Sequence, residues 1–310
     1  MSVETFELPD PRMHEVKIRV VAASINPFDW RVRNGEYRLL TGSTFPRAMG
    51  SDFSGVVEAI GPRVTRFRAG DAVVGSTSPK TAGAFAPMVL AQEKRLVKIP
   101  QSLGFEAAAV LPIPTITAWD ALVKKANLQS GQKVFLNGAL GAVGRAAIAI
   151  AQARGSKITG RIGRSHLQAA QQLGLAKILE YTSEVPGELD RSFDVVFDCN
   201  GSLDPAEADR LLKPDGMVID INLTNKAKLF RALFTRRQKL IFFDGNAKTL
   251  AEVVQLARQG HLALPIANRV TLDEAIPLLT ALERGQSGSN GKSIITFDAI
   301  GDAGGDKEVE

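Results

Sequence analysis

The chain is poor in the residues that build disulfide frameworks and metal centres. Its 310 residues include one cysteine, Cys199, and three histidines, His14, His166 and His261. A single thiol excludes an intramolecular disulfide and a cysteine-rich zinc site, and histidines this scattered do not form a zinc-ligand pattern. We therefore expect no bound metal. A free cysteine is usually buried, so we expect Cys199 to be a packed or cleft-lining thiol and not a reactive one.

Long apolar runs are also missing. No stretch approaches the roughly twenty apolar residues of a membrane-spanning helix. The first ten residues, MSVETFELPD, lack the basic-then-apolar pattern of a signal peptide. A hydrophobic content of 45% and a charged content of 23% are typical of a globular protein, and the length allows two domains. We expect a cytoplasmic protein.

Acidic residues are fewer than basic ones, 33 against 38, and one segment contains none. Residues 225–239, NKAKLFRALFTRRQK, contain six basic residues interleaved with leucines and phenylalanines. This segment has two interpretations. It could be a helix that lies on an anionic membrane surface. It could also be a basic helix whose apolar side packs on its own domain, which is the commoner behaviour of amphipathic helices.

A glycine-rich stretch, Lys133–Ala147, carries the clearest functional pattern. Val134–Asn137 reads as a short buried strand, Gly138, Gly141 and Gly144 follow it, and Arg145–Arg154 has helical apolar periodicity. Strand, glycine turn and helix open a βαβ unit that binds a dinucleotide, because glycine lets the backbone approach a pyrophosphate and the helix N-terminus attracts its charge.

The rest of the chain divides into a β-rich part and an alternating part. Alternating patterns at 15–22, 55–60 and 71–75 predict strands and indicate a β-rich barrel or sandwich in the first hundred residues. A helix is expected over Thr115–Asn127, followed by strands that alternate with helices, which is typical of a parallel doubly wound sheet. The strands expected there are Lys133–Asn137, Lys157–Ile162, Lys177–Leu179, Asp194–Asp198, Met217–Ile221 and Lys239–Phe243.

Several stretches in order resemble one family. They are Ala23–Gly35 (ASINPFDWRVRNG), Phe45–Gly61 (FPRAMGSDFSGVVEAIG), Phe67–Gly75 (FRAGDAVVG), Arg95–Pro100 (RLVKIP), Ala139–Gly144 (ALGAVG) and Gly291–Phe297 (GKSIITF). The chain resembles the zinc-free quinone oxidoreductase branch of the medium-chain dehydrogenase/reductase superfamily. Within it, FDCNGS, GMVIDIN and the basic stretch look most like the chloroplast-envelope quinone oxidoreductase homologues and related enone reductases.

The resemblance implies an α/β protein, a Rossmann domain with a doubly wound parallel sheet plus a GroES-like β-rich domain. The GroES-like domain would comprise 1–112 and 246–300, the Rossmann domain 113–245, and 301–310 would be a disordered tail. The active site would lie in the cleft between the domains. The chain departs from the family at Ala142, where a second glycine is usual, and it lacks the strand expected before Glu4.

The cofactor that we expect is NADPH. An NAD-binding chain would carry an acid about twenty residues after the glycine motif, but no acid occurs between Ser156 and Leu179. Arg161, Gly163, Arg164 and Ser165 lie there instead, and guanidinium and hydroxyl groups suit a 2′-phosphate. The alternative is that these arginines belong to a solvated loop.

The resemblance also implies site residues on both domains. Asn26 would face the nicotinamide ribose or the substrate, Asp29 would brace its loop, and Arg31 would polarise a carbonyl. Asn26-Pro27 as an ordinary turn, and Thr115 or Thr117 as a helix N-cap, are the alternatives. The expected cofactor-binding residues are Thr117, Gly138, Gly141, Ala142, Val143, Gly144, Arg161, Gly163, Arg164, Ser165, Asn200, Asn222, Phe243 and Lys292.

The predicted chemistry follows from these absences and likenesses. The zinc-dependent relatives have a histidine in a Gly-His-Glu motif, whereas this chain has Gly50-Ser51-Asp52. We expect hydride transfer to an acceptor that is already electrophilic, a quinone or the C=C bond of an α,β-unsaturated carbonyl.

Two other readings stay open, a catalytically idle NADPH-binding protein and a peripheral membrane protein that uses residues 225–239. A homodimer is expected from the family, weak contact with an anionic membrane surface is possible, and no nucleic-acid partner is expected.

Overall fold

A computed structural model describes residues 1–42, 45–222, 226–235, 237–286 and 290–297. The predicted tail, 301–310, lies outside these ranges, as do Asn225 and Arg236 of the basic segment. No helix within the described ranges is long and apolar enough to cross a membrane.

The described residues form thirteen strands and ten α-helices. The strands are β1 Glu15–Ile25, β2 Asp52–Ile60, β3 Ala72–Ser76, β4 Met88–Gln92, β5 Leu96–Lys98, β6 Lys133–Asn137, β7 Lys157–Ile162, β8 Lys177–Glu180, β9 Phe193–Asp198, β10 Leu212–Asp220, β11 Gln238–Leu240, β12 Ile266–Val270 and β13 Lys292–Thr296. The helices are α1 Pro27–Arg33, α2 Arg38–Thr41, α3 Phe105–Ala109, α4 Pro112–Trp119, α5 Ala142–Ala153, α6 Leu167–Gln171, α7 Pro205–Leu211, α8 Lys226–Phe234, α9 Ala247–Arg258 and α10 Leu272–Glu283. A π-helical turn, Asp120–Lys125, continues α4.

The first sheet joins the two ends of the chain. Its seven strands run in the order β12-β13-β1-β2-β3-β5, and β4 pairs with β1. Strand β1 is antiparallel to β13, with Ala23 opposite Ile295, and antiparallel to β2, with Ala23 opposite Phe53. Valines and isoleucines alternate along β1 because one face of the strand packs on a buried core that includes Phe53.

The second sheet is parallel and has six strands in the order β11-β10-β9-β6-β7-β8. From β6 the chain adds β7 and β8 on one side and then β9, β10 and β11 on the other. The order therefore reverses between β6 and β9, where Asn137 lies opposite Asp198 at the carboxyl ends of both strands. Ligands of open parallel sheets bind at such a point. The predicted fold class, a doubly wound parallel sheet together with a β-rich unit, is confirmed.

Close packing at the turn after β6 requires glycine. A Cβ on Gly144 would lie 2.3 Å from the carbonyl oxygen of Gly138 and 2.6 Å from the backbone of Ala139. This approach lets the first turn of α5 sit directly on the strand-to-helix turn.

We therefore expect Gly144→Ala to lower the free energy of unfolding by about 2 to 3 kcal/mol, because the backbone must move to relieve the overlap. Urea unfolding followed by circular dichroism measures the loss. Gly187→Ala is the matched control, since a Cβ there meets nothing within 4 Å. Equal stability of the two variants would contradict the packing argument.

Candidate active site

The glycine turn forms a cradle at the N-terminus of α5. Gly138 has a φ of +85°, and the amide groups of Gly138 and Ala139 donate to the carbonyl of Arg161 at 3.1 and 3.2 Å. Gly141 is the N-cap, so α5 begins at Ala142, with Val143 and Gly144 in its first turn. The first N–H groups of a helix have no intrahelical partner and favour an anion. The donors and the charge of this cradle suit an anion such as the pyrophosphate of a dinucleotide.

Beside the cradle, the carboxyl edge of the sheet carries a polar network. The side-chain amide of Asn137 donates to Asp198 at 2.8 Å and to Asn200 at 3.0 Å. Asp198 also accepts from the backbone N–H groups of Gly201 and Leu203. The side chain of Asn222 donates to the carbonyl of Gly201 at 3.2 Å. The structure thus brings the predicted residues Asn200 and Asn222 together at this edge.

A buried lysine, which sequence reasoning did not place here, completes the network. The ammonium of Lys228 lies 2.8 Å from Asp198 and 2.5 Å from Asp220, and it donates to the carbonyl of Gly201. Burial raises the pKa of Asp220, and the charge of Asp198 adds to that rise. Burial alone would lower the pKa of Lys228, but its hydrogen bonds to the two carboxylates raise it. A signal existed, because both aspartates end neighbouring strands.

Two expectations about the basic segment are corrected by α8. Lys228 is one of the six basic residues that would face an anionic surface in the membrane interpretation, but its side chain is buried against the sheet edge. The apolar side was expected to pack on its own domain as the commoner case, but Phe230, Leu233 and Phe234 are exposed. The helix turns its lysine inward and its aromatic residues outward.

The predicted residues around the loop after β7 have different surroundings: one arginine is paired with protein groups, and another arginine and a serine are exposed. Arg161 pairs with Glu207 at 2.7 Å and donates to the carbonyl groups of Tyr181 and Ser183. Its guanidinium is therefore engaged by protein groups. Arg164 and Ser165 are exposed, immediately after Gly163. The nearest acid that pairs with Arg164 is Glu180, at 3.9 Å and on the neighbouring strand β8.

A second polar cluster lies in the first sheet, around the N-terminus of α1. The ammonium of Lys292 donates to the carbonyl of Ile25 at 2.7 Å and to the side-chain oxygen of Asn26 at 2.6 Å. The side-chain nitrogen of Asn26 donates to Asp52 at 3.1 Å. Asp29 accepts from the backbone of Asn26 and from Ser51, both at 2.8 Å. We call Asn26, Asp29, Ser51, Asp52 and Lys292 the lysine cluster.

Burial governs the electrostatics of the lysine cluster. Burial raises the pKa of Asp29 to about 6 and raises that of Asp52 further, although the charge of Lys292 opposes both shifts. Burial lowers the pKa of Lys292. One carboxylate oxygen of Asp52 accepts from the amide of Ile113, whereas the other is buried with no hydrogen-bond partner among the described residues.

The surroundings of the predicted catalytic residues differ from one another. Asn26 is only 2% exposed, and both ends of its amide are hydrogen-bonded within the protein. The reading of Asn26-Pro27 as an ordinary turn is wrong, because Asn26 is the N-cap of α1. Arg31 lies in α1, half-buried, 3.5 Å from the hydroxyl of Tyr37 and 3.9 Å from Glu36. Contact of these residues with a nicotinamide or substrate stays a prediction.

Four further residues discussed from the sequence are Thr115 and Thr117 within α4, Cys199 after β9 and Phe243 after β11. The reading of Thr115 or Thr117 as an N-cap is wrong, because α4 begins at Pro112 and both hydroxyls donate to carbonyls one turn back. Phe243 is buried, and so is Cys199, whose pKa is raised by burial as expected for a packed thiol.

Two contacts connect the lysine cluster to the parallel sheet. Ile113, in the first turn of α4, donates to Asp52, and α4 packs against α5. Arg145 of α5 donates to Asn290, two residues before Lys292. Within the described part of the chain, no three His, Cys, Asp or Glu side chains are grouped as metal ligands would be.

Comparisons with known proteins agree with this architecture. Residues 12–101 match the family model of the alcohol dehydrogenase GroES-like domain, and residues 173–295 match that of the zinc-binding dehydrogenases. The chain belongs to the medium-chain dehydrogenase/reductase superfamily. Its members are oxidoreductases that use NAD(P) cofactors, and this chain is an oxidoreductase of that kind.

Individual relatives support the finer resemblance. The chain is 29% identical to the chloroplast envelope quinone oxidoreductase homolog of Arabidopsis thaliana over 282 residues, and this alignment covers 86% of each of the two chains. It is 31% identical to the 2-methylene-furan-3-one reductase of Solanum lycopersicum over 76% of this chain and 61% of the relative. The solved quinone oxidoreductase of Coxiella burnetii superposes with a TM-score of 0.83 at 25% identity, over 94% of this chain and 93% of that one. The predicted resemblance is confirmed.

Removing the buried ammonium should destabilise the lysine cluster. We expect Lys292→Met to lower the free energy of unfolding by about 3 to 5 kcal/mol near neutral pH, because two buried carboxyl groups lose their cation. Urea unfolding measures the loss. Lys98→Met is the control, since Lys98 is 54% exposed and pairs with Asp71 at the surface, which predicts a loss below about 1 kcal/mol.

The deficit in the free energy of unfolding caused by Lys292→Met should also depend on pH. Burial holds the folded-state pKa of Asp52 above its unfolded value, so the folded state binds more protons and stability falls as pH rises through that window. With Lys292 present the folded-state pKa of Asp29 is about 6, and without this cation it rises, so the deficit of Lys292→Met should grow as pH rises above about 6 and be larger at about pH 8 than at about pH 5. A deficit that is the same at both pH values would contradict this electrostatic account.

Proposed function

We propose that the protein is an NADPH-dependent reductase that transfers a hydride, without metal, to a quinone or to the C=C bond of an α,β-unsaturated carbonyl. The observation that carries the proposal is the glycine cradle at the N-terminus of α5, at the point where the strand order of the parallel sheet reverses. The names of the quinone oxidoreductase and furanone reductase relatives support the class of acceptor.

The preference for NADPH rests on the loop after β7. Arg164 and Ser165 are exposed there, and the position where an NAD-binding chain carries an acid is occupied by Arg161. Because Arg161 already pairs with Glu207, we assign the 2′-phosphate contact to Arg164 and Ser165. An exposed guanidinium and a hydroxyl supply the donors that phosphate oxygens need.

The chain's own groups would bind and orient the reactants. NADPH, when bound, supplies the hydride. The cradle would hold the pyrophosphate, and Asn200 and Asn222 lie at the edge where the nicotinamide half would extend. The lysine cluster lies across α4 from the cradle and fixes the N-terminus of α1, which carries Arg31. A metal-free reaction is supported by the donor set of the lysine cluster, which contains no imidazole or thiolate, the ligands that zinc prefers.

The domain boundaries, the cellular location and the oligomeric state stay predictions from the sequence. We propose a GroES-like unit of 1–112 and 246–300, a dinucleotide-binding unit of 113–245, a cytoplasmic location and a homodimer. The dimer rests on the family resemblance, and the location rests on the single cysteine.

The reaction is tested by following NADPH and NADH oxidation against a quinone, a short enone and a long-chain enone. We expect turnover with NADPH on one acceptor class, undiminished by a chelator. Tight NADPH binding without turnover on any acceptor would favour the idle-binder reading, and loss of activity with the chelator would overturn the metal-free mechanism.

The cofactor preference is tested by Arg164→Ala. We expect kcat/KM for NADPH to fall roughly 10- to 100-fold, because a charge-assisted hydrogen bond to phosphate is lost, while kcat/KM for NADH stays unchanged. Arg68→Ala is the control, since the side chain of Arg68 is 87% exposed and lies in the loop between β2 and β3. Equal losses with both cofactors would show that Arg164 does not contact the 2′-phosphate.

A further inference from the structure

The outer face of α8 is apolar and open. Phe230, Leu233 and Phe234 are 62%, 73% and 71% exposed, and no other large apolar side chain in the described ranges is as exposed. Their spacing puts them on one face of the helix, and the rings of Phe230 and Phe234 lie 4.4 Å apart between centroids. Single exposed apolar residues are common, but a contiguous apolar patch marks a binding surface.

Ion pairs on the inner face fix this orientation. Lys228 is held by Asp198 and Asp220, and Arg231 pairs with Asp209 at 2.6 Å. At about 100° per residue, Phe230 lies about 200° around the helix from Lys228. A rotation of α8 that buried its aromatic residues would break the ion pairs of Lys228 with Asp198 and Asp220. The patch therefore stays exposed as long as the sheet edge keeps its cation.

The surroundings of the patch are basic. The sequence has no acid from residue 221 to residue 243, whereas Arg236, Arg237 and Lys239 follow α8 directly. Arg237 is exposed although its guanidinium donates to the carbonyl of Lys213 at 2.9 Å, and Lys239 is half-buried. No carboxylate of the described part of the chain lies within ion-pair distance of either side chain. Apolar side chains flanked by cations match the acyl boundary and the phosphates of an anionic bilayer.

We propose that α8 and the basic residues after it bind the surface of an anionic lipid bilayer. A second copy of the chain fits this face less well. The three side chains expose on the order of 400 Å², about half of what each partner buries in a stable interface. A two-fold contact would also bring the same cations face to face. The proposal does not depend on the reaction proposed above.

Co-sedimentation of the full chain with vesicles tests the proposal. We expect binding to vesicles with about 30 mol% phosphatidylserine, at least tenfold weaker binding to phosphatidylcholine alone, and weaker binding as salt rises from about 0.1 to 0.5 M. The double variant Phe230→Ser/Phe234→Ser should lose at least tenfold in affinity, and so should Arg237→Glu/Lys239→Glu.

The matched control is Phe6→Ser/Met13→Ser, because these side chains are 57% and 54% exposed elsewhere on the surface. It should bind vesicles like the unmodified chain. Binding that ignores phosphatidylserine, or that survives Phe230→Ser/Phe234→Ser, would overturn the proposal. Sedimentation velocity measures the oligomeric state in the same experiment. If the chain binds no vesicles and forms a dimer that Phe230→Ser/Phe234→Ser dissociates, the face is a self-association surface and the proposal is overturned.

Discussion

The burial of the Lys292 ammonium is the constraint on which the site depends. An uncompensated charge in a protein interior costs several kcal/mol, so it must meet carbonyl oxygens or carboxylates. Lys292 meets the carbonyl of Ile25 and the side chain of Asn26, which are 267 and 266 residues away in sequence. The pairing of β13 with β1, in which Ile25 lies opposite Ser293, brings these groups together. Joining the chain ends therefore also fixes Asn26, and through it α1 and Asp52.

The same physics acts at the carboxyl edge of the parallel sheet. Asp198 and Asp220 end neighbouring strands, and their buried carboxylates would repel one another without a cation. Lys228, in the helix that follows β10, forms an ion pair with each of them. Each half of the molecule thus holds one buried lysine that ties a distant segment to aspartates beside the proposed cleft. Both lysines position backbone and amide groups, and neither is free at the surface.

The sequence predicts most of the fold because local patterns carry it. Strands β6 and β7 lie over Lys133–Asn137 and Lys157–Ile162 as expected, and β9 agrees to within a residue. The sequence analysis expects a loop where α1 begins. Asn26, Pro27 and Asp29 nevertheless occupy the positions of an N-cap, a first-turn proline and a residue that returns a hydrogen bond to the cap. That signal was present. The partners of Lys292 carry no such signal, because they are set by strand pairing over a separation of more than 260 residues.

The character of α8 follows from the sheet edge. Two strand-ending aspartates need a cation, and the first helix after β10 supplies it through Lys228. Once that lysine points inward, helical geometry puts the second, fifth and sixth residues after it, Phe230, Leu233 and Phe234, at about 140° to 240° from it. Their exposure is therefore the geometric consequence of charge neutralisation and not a packing defect. A substitution that made the edge neutral would remove the need for an inward lysine and, with it, the force that keeps the aromatic face turned to solvent.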